Sequence, residues 1–145
     1  MERLVEIPTA DLIGCALDWA VGQALMTAGC AAHLYPNSLK MWLVGPFGKP
    51  FNPSADWSQG GPLVEQFNVL LSPPTSPVHR NFGSFDKRNG YYESECWGAT
   101  IFGKERKHRR TSFNHEGSAL IVAMRAIVQS ELGDVVSVPF EVARP

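Results

Sequence analysis

Residues 117–142, GSALIVAMRAIVQSELGDVVSVPFEV, decide the fold class. Within them Leu120, Ile121, Met124, Ile127, Val128 and Leu132 fall along one stripe at about 100° per residue, which predicts a helix. Ser118 or Asn114 can cap it, and Gly133 supplies a left-handed stop after Leu132. The pattern then changes period. Val136, Val138, Phe140 and Val142 alternate with Ser137, Pro139 and Glu141, as a half-buried strand does, and Pro139 confines that strand to an edge because it cannot donate to a ladder. A capped helix followed by an alternating strand predicts an α+β domain.

Working outward, residues 9–28 predict a first helix, with Thr9 as cap, Asp11 near the positive end of the helix dipole and Gly29 as the stop. Ile13, Leu17, Ala20, Val21, Ala24 and Leu25 form its apolar arc, while Trp19 and Leu12 fall on the other side. A helix apolar on two faces is central to its core or offers the second face to a partner. Met41–Val44 is a candidate strand, and the following GPFGKPFNPSADWSQGGP is too rich in Gly and Pro to be regular. Pro62 suits the first position of a short helix through Leu63–Gln66, with Phe67–Leu71 as a strand after it. SPPTSPVHRN reads as a surface connection, Asn89-Gly90 as a hairpin signal before the β-favouring YYESECWGATIF, and KERKHRR at 104–110 as a basic loop. The expectation for residues 1–145 is a single α+β domain, with two main helices packed on a small, mostly antiparallel sheet and long ordered loops.

Composition sets the outer bounds. A chain of 145 residues, 44% hydrophobic and 19% charged, can bury a core without disulfides or a structural metal. The net charge of −1 gives no global pull toward nucleic acid or membrane. MERLVEIPTADL lacks the pattern of a secretory signal. The longer apolar runs are broken by Asp18, Gly22 and Gln23, and by Arg125 and Gln129, so no membrane span is expected. Cys15, Cys30 and Cys96 are too few and too scattered for a disulfide framework, and we expect free thiols in a reducing cytoplasm.

No motif carries catalysis. There is no G-x-S-x-G elbow and no H-E-x-x-H site, and His33, His79, His108 and His115 show no ligand spacing with the cysteines. Cys96 and His115 could meet as thiol and base, but nothing local requires it. The expectation is a non-enzymatic protein with no catalytic residues, metal or cofactor.

Candidate binding residues lie in DWSQGGP, residues 56–62. Adjacent glycines before a helix start can turn backbone amides toward an anion, and Trp57 could stack on a ring beside them. Trp57, Ser58, Gln59, Gly60, Gly61 and Arg125 are therefore the candidate ligand-binding set, for a small anionic ligand such as a nucleotide signal. The competing reading is purely structural: Gly-Gly-Pro is also how a chain turns into a helix, and Asp56 with Ser58 could cap that turn. Arg125 lies roughly 140° around the last helix from Leu120, at the edge of the apolar arc. It requires a carboxylate, Asp18 or Asp56, or else an anion from outside. The basic run 104–110 has no interleaved aromatic residue and no recognition helix, so nucleic acid is the weakest of the partner readings. Among the aromatic residues, Trp19 and Trp97 are expected to be mostly buried, and Trp57 with one of Tyr91 or Tyr92 exposed.

Four segments, LIGCALDWAVGQAL, FNPSADWSQGGPLVEQFNV, CWGA and GSALIVAMRAIVQSELGDVVSVP, together resemble the phage NinX family, small proteins of temperate phages and prophages with a domain of unknown function. The resemblance covers most of the chain, with DWSQGGP and AMRAIVQSELGD its most specific blocks; residues 78–92 and KERKHRR match no pattern of the family. It implies a phage or prophage protein in the cytoplasm of a bacterial host, from a cluster of accessory genes around recombination and late transcription. It assigns no activity and no catalytic residue. The leading expectation is an accessory protein that binds a host or phage macromolecule through the aromatic surface near Trp57. A homodimer through the two-faced first helix or the Val136–Val142 edge is compatible with the sequence.

Overall fold

The computed structural model describes residues 3–30, 34–36, 42–45, 48–73, 77–79, 91–93, 97–101, 111–115 and 118–143. In chain order these form β1 (Leu4–Pro8), a 3-10 turn at Thr9–Asp11, α1 (Gly14–Thr27), β2 (Leu34–Pro36), β3 (Trp42–Val44), β4 (Lys49–Pro50), α2 (Trp57–Gln66), β5 (Leu70–Ser72), β6 (Pro77–His79), β7 (Tyr91–Glu93), β8 (Trp97–Ile101), β9 (Thr111–His115), α3 (Ala119–Leu132), β10 (Val135–Pro139) and α4 (Phe140–Ala143). The class is α+β. Among the described residues the strands make several small antiparallel sheets instead of the single one expected: β1-β10, β2-β3-β4, β5-β8-β9 and β6-β7.

Helix α3 is the centre. Every residue from Leu120 to Val128 except Ile121 is buried, and Val122, Ala123, Met124, Ala126, Ile127 and Val128 are completely so. A helix buried almost all round must be surrounded, and α1, β8 and β9 lie against it, with α2, the 3-10 turn and β10 adding to the cover. Its ends form where the sequence places them. The Ser118 hydroxyl accepts from the Ile121 amide, and Gly133 takes φ +95° just past the last turn.

Helix α1 begins later than its periodicity implies. Gly14 adopts φ +60°, Leu12 and Ile13 are extended, and Ile13 caps the helix with no side-chain bond. Ile13, expected in the buried arc, is exposed, while Leu12, expected on the other side, is completely buried. Thr9 is not a helix cap. Its hydroxyl donates to the Gly133 carbonyl at 2.6 Å and its amide to the Asp134 carbonyl at 2.8 Å, which ties the start of the chain to the end of α3. From Ala16 to Leu25 all but Trp19 and Gln23 are buried, so α1 is a core helix, with Trp19 half-buried on its other side.

Strand β1 carries no strong sequence signal and pairs with β10, Leu4 opposite Pro139 and Pro8 opposite Val135. Val136 and Val138 point inward as expected, but the strand ends at Pro139 and the chain turns into α4, which buries Val142. The Phe140 amide donates to the Arg3 carbonyl, and the Arg3 guanidinium lies 4.5 Å from the centre of the Phe140 ring. β5 is shorter than expected and starts at Leu70 because Phe67 ends α2 and Asn68 takes φ +54°. Pro77–His79, read as part of a surface connection, is a strand paired with Tyr91–Glu93. The Asn89-Gly90 turn expected between them lies outside the described residues.

Two helical glycines are there for close approach. A Cβ on Gly22 would sit 2.1 Å from Trp42 Nε1, and one on Gly60 would sit 2.5 Å from the Pro53 carbonyl oxygen and 2.7 Å from Leu120 Cδ2. Glycine to alanine inside a helix ordinarily gains about 1 kcal/mol. Here we expect the opposite: Gly60→Ala should destabilise the protein by roughly 1–3 kcal/mol through overpacking against backbone that cannot give way. Thermal or denaturant unfolding measures it, and a variant as stable as the wild type would show that α2 stands off from Pro53 and α3.

Candidate functional site

The segment 50–66 is built around one turn. Asp56 is the N-cap of α2, and its carboxylate accepts from the Ser58 amide at 2.9 Å and the Ser58 hydroxyl at 2.7 Å. Gln59 reaches back from the third helical position. Its side-chain nitrogen donates to Pro50 O and to Asn52 Oδ1, both at 3.0 Å, and more weakly to Asp56 Oδ2, while its oxygen accepts from the Asn52 amide at 2.8 Å. The Gln59 side chain does not reach the Asp56 amide, which donates to the Asn52 carbonyl at 3.0 Å, so the cap is the Asp56–Ser58 contact braced by Gln59 and not a reciprocal capping box. The Ser58 hydroxyl and amide, then Gln59 and the charge of Lys49, hold the Asp56 carboxyl below its ordinary pKa.

This geometry corrects the expected start of the helix. α2 begins at Trp57, five residues before Pro62, so Gly60, Gly61 and Pro62 lie inside it. The missing Pro62 amide leaves the carbonyl of Ser58, an exposed residue, to water. A residue before proline is crowded out of the helical region chiefly through its Cβ, and Gly61 has none. The Gln59 and Gly60 amides both donate to the Asp56 carbonyl, at 3.0 and 2.8 Å. The helix N-terminus is thus occupied by the protein's own carboxylate and carbonyl. The Ser58 amide and hydroxyl, the Gln59 amide and side chain and the Gly60 amide all make their bonds within this segment.

Trp57 is different. It occupies the first position of α2 with 55% of its surface exposed, and Gly61 one turn later, where a Cβ would lie 3.9 Å from Trp57 Cε3, gives its ring an open stretch of helix surface. Trp42 is buried; Trp19 and Trp97 are half-buried. The side chains of Tyr91 and Tyr92, all of the basic run 104–110 and Cys96 lie outside the described residues.

Arg125 does not join this segment. It is buried on α3, and its Nε donates to the Leu12 carbonyl at 2.8 Å. Burial lowers its pKa, and the charge of Asp11 works against that shift. Neither carboxylate expected to pair with it does so; Asp18 Oδ1 instead accepts from the Ser54 amide at 2.9 Å.

Asp18 belongs to a feature the sequence did not disclose. A cleft of about 160 Å³ opens between α1 and the 50–52 segment, lined by Cys15, Asp18, Trp19, Trp42, Pro50, Phe51 and Asn52. Trp42 forms part of its wall by packing on Gly22 and donating from Nε1 to the Trp19 carbonyl at 3.2 Å. Asp18 is only 9% exposed, and burial pushes its pKa up against the opposing pull of the Ser54 amide and hydroxyl. Among the described residues, no group of three or more His, Cys, Asp or Glu side chains is placed to hold a metal ion, and no helix is long and apolar enough to cross a membrane.

Because Asp18 binds its proton more tightly in the folded chain than in the unfolded one, its contribution favours folding below a pH of about 4 and fades as pH rises to its raised folded value. Asp18→Asn keeps an oxygen for the Ser54 amide and removes that titration. Melting curves across this window should show the variant gaining on the wild type as pH rises, and parallel pH profiles would contradict the assignment.

No curated protein matches the chain. The family model described as bacteriophage P22 NinX matches residues 8–131, a span that includes α1, the Asp56 cap of α2, the cleft and all of α3 but its last residue. The chain therefore belongs to the phage NinX family.

Proposed function

We propose that this NinX-family protein is a non-enzymatic accessory protein that acts by binding a host or phage macromolecule, with Trp57 as the anchor of the contact. The observation that carries the reading is a large aromatic side chain left more than half exposed at the first position of a helix whose start is fixed by six hydrogen bonds involving the side chains of Asp56 and Gln59. Tryptophan is a frequent hot-spot residue, and one held on a rigid element loses little freedom on binding. Family membership supports a phage accessory role. The capping turn supports a structural purpose for Ser58, Gln59, Gly60 and Gly61, so the contact is assigned to the indole and not to the amides beside it.

Trp57→Ala removes an exposed side chain and should leave the melting temperature close to that of the wild type. Its effect should appear in association. Partners retained by the tagged wild-type protein in phage-carrying cells should be lost from the variant, and titration of the purified partner should show a Kd raised roughly 30-fold, the equivalent of about 2 kcal/mol. Equal binding by a correctly folded variant would remove Trp57 from the interface.

A further inference from the structure

The cleft beside α1 combines two features that an inert surface dent does not need. Its walls are largely aromatic, from Trp19, Trp42 and Phe51, and Asp18 lies among its lining residues with nine-tenths of its surface buried. An ionised carboxylate offers about four acceptor positions. Only Ser54, through its amide and hydroxyl, engages this one among the described residues. None of the residues lining the cleft is basic, so a buried anion is left without a counter-charge there.

Size narrows the choice of ligand. At about 160 Å³ the cleft falls below the roughly 300–1,000 Å³ typical of pockets for whole small molecules and cofactors. It suits one long side chain. Aromatic faces attract a cation held over them, and an acidic residue among the lining residues offers the opposite charge for the tip of such a side chain. Lysine and arginine meet both requirements, because their methylene stems cover apolar surface while the charged head reaches a polar group.

We propose that the cleft lined by Cys15, Asp18, Trp19, Trp42 and Phe51 is a binding site for one cationic side chain, a lysine or arginine, of a partner protein. The proposal rests on the reading of this chain as a binder of macromolecules, but it uses a surface that Trp57 does not line. The aromatic walls take the stem, the free acceptor positions of Asp18 take the ammonium or guanidinium, and the Ser54 amide holds the carboxylate in place. Cys15, at an exposed position, is the only other titratable group among the lining residues.

The test uses the full-length ¹⁵N-labelled protein and three blocked tripeptides, Gly-Lys-Gly, Gly-Arg-Gly and the uncharged Gly-norleucine-Gly, with n-butylammonium as the free amine. The cationic peptides should saturably shift the indole NH signals of Trp19 and Trp42 and the amide of Ser54, and the norleucine peptide should bind at least tenfold more weakly. Asp18→Asn should weaken the cationic peptides at least tenfold, and wild-type affinity should fall with pH as Asp18 takes up its proton. If Asp18→Asn does not fold, Cys15→Phe at the exposed rim narrows the cleft instead and should abolish the same shifts. Equal binding of the norleucine peptide, an unaffected Asp18→Asn or Cys15→Phe protein, or binding of n-butylammonium alone with no peptide binding would each overturn the proposal. Trp57→Ala should leave these shifts unchanged, so loss of the Trp57 contact and loss of the cleft are separate results.

Discussion

The bond between Arg125 Nε and the Leu12 carbonyl is the constraint around which the rest of the structure is arranged. α3 is buried on almost every side, and Arg125 is its one charged residue before the last turn, so the guanidinium needs an oxygen brought to it inside the core. Were the chain helical from Thr9 onward, the Leu12 carbonyl would be committed to the amide four residues ahead. The break at Leu12–Gly14 releases it. The late start of α1, the extended Leu12 and Ile13 and the positive φ of Gly14 are thus one solution to a buried charge on a different helix. That solution leaves Ile13 in solvent and carries Leu12 into the core.

The same junction fixes the ends of the chain. Thr9, just before the break, spends its hydroxyl and amide on the carbonyls of Gly133 and Asp134, the residues that leave α3. β1 and β10 then emerge side by side and pair, with Ile7, Val136 and Val138 packed into the core. Val138 is completely buried, which is worth roughly 1.5–3 kcal/mol and favours the ribbon despite the distance in sequence between its strands. With α1 held in place, Gly22 offers a flat surface to Trp42 and Asp18 offers an acceptor to Ser54. These two contacts dock Trp42 and Ser54 on the helix, and Gln59 holds the segment before α2 from its other end through Pro50 and Asn52.

How much of this the sequence disclosed follows from the range of the forces involved. α3 was legible because its cap, its period and its stop are all local, and the class α+β follows from the switch of period at Gly133. The start of α1 was not, because the group that breaks it, Arg125, is 113 residues away. For α2 the decisive signal was present and outweighed. Asp56 and Gln59 have the spacing of a capping box, but Gly60-Gly61-Pro62 has the composition of a turn, and propensity favoured the turn over the cap. β1 carried too little pattern to be read alone, since only Val5 and Ile7 alternate inward and β10 supplies the rest. Trp57 was visible as an exposed aromatic candidate. The cleft was not, because its walls come from residues 15–19, 42 and 50–52, which no single period joins.

The two buried charges show how differently the fold treats its polar interior. Arg125 and Asp18 sit on neighbouring helices and have opposite signs, and an ion pair between them would have offset much of the cost of burying each. Among the described residues they do not pair. Arg125 is given a backbone carbonyl inside the core and the charge of Asp11. Asp18 is given a single amide and hydroxyl from Ser54 and is left at a cleft walled by indole rings. An asparagine at that position could accept the Ser54 amide and lacks the carboxyl whose pKa burial raises. What a carboxylate adds over it is negative charge, set beside a cleft whose lining residues include no basic group.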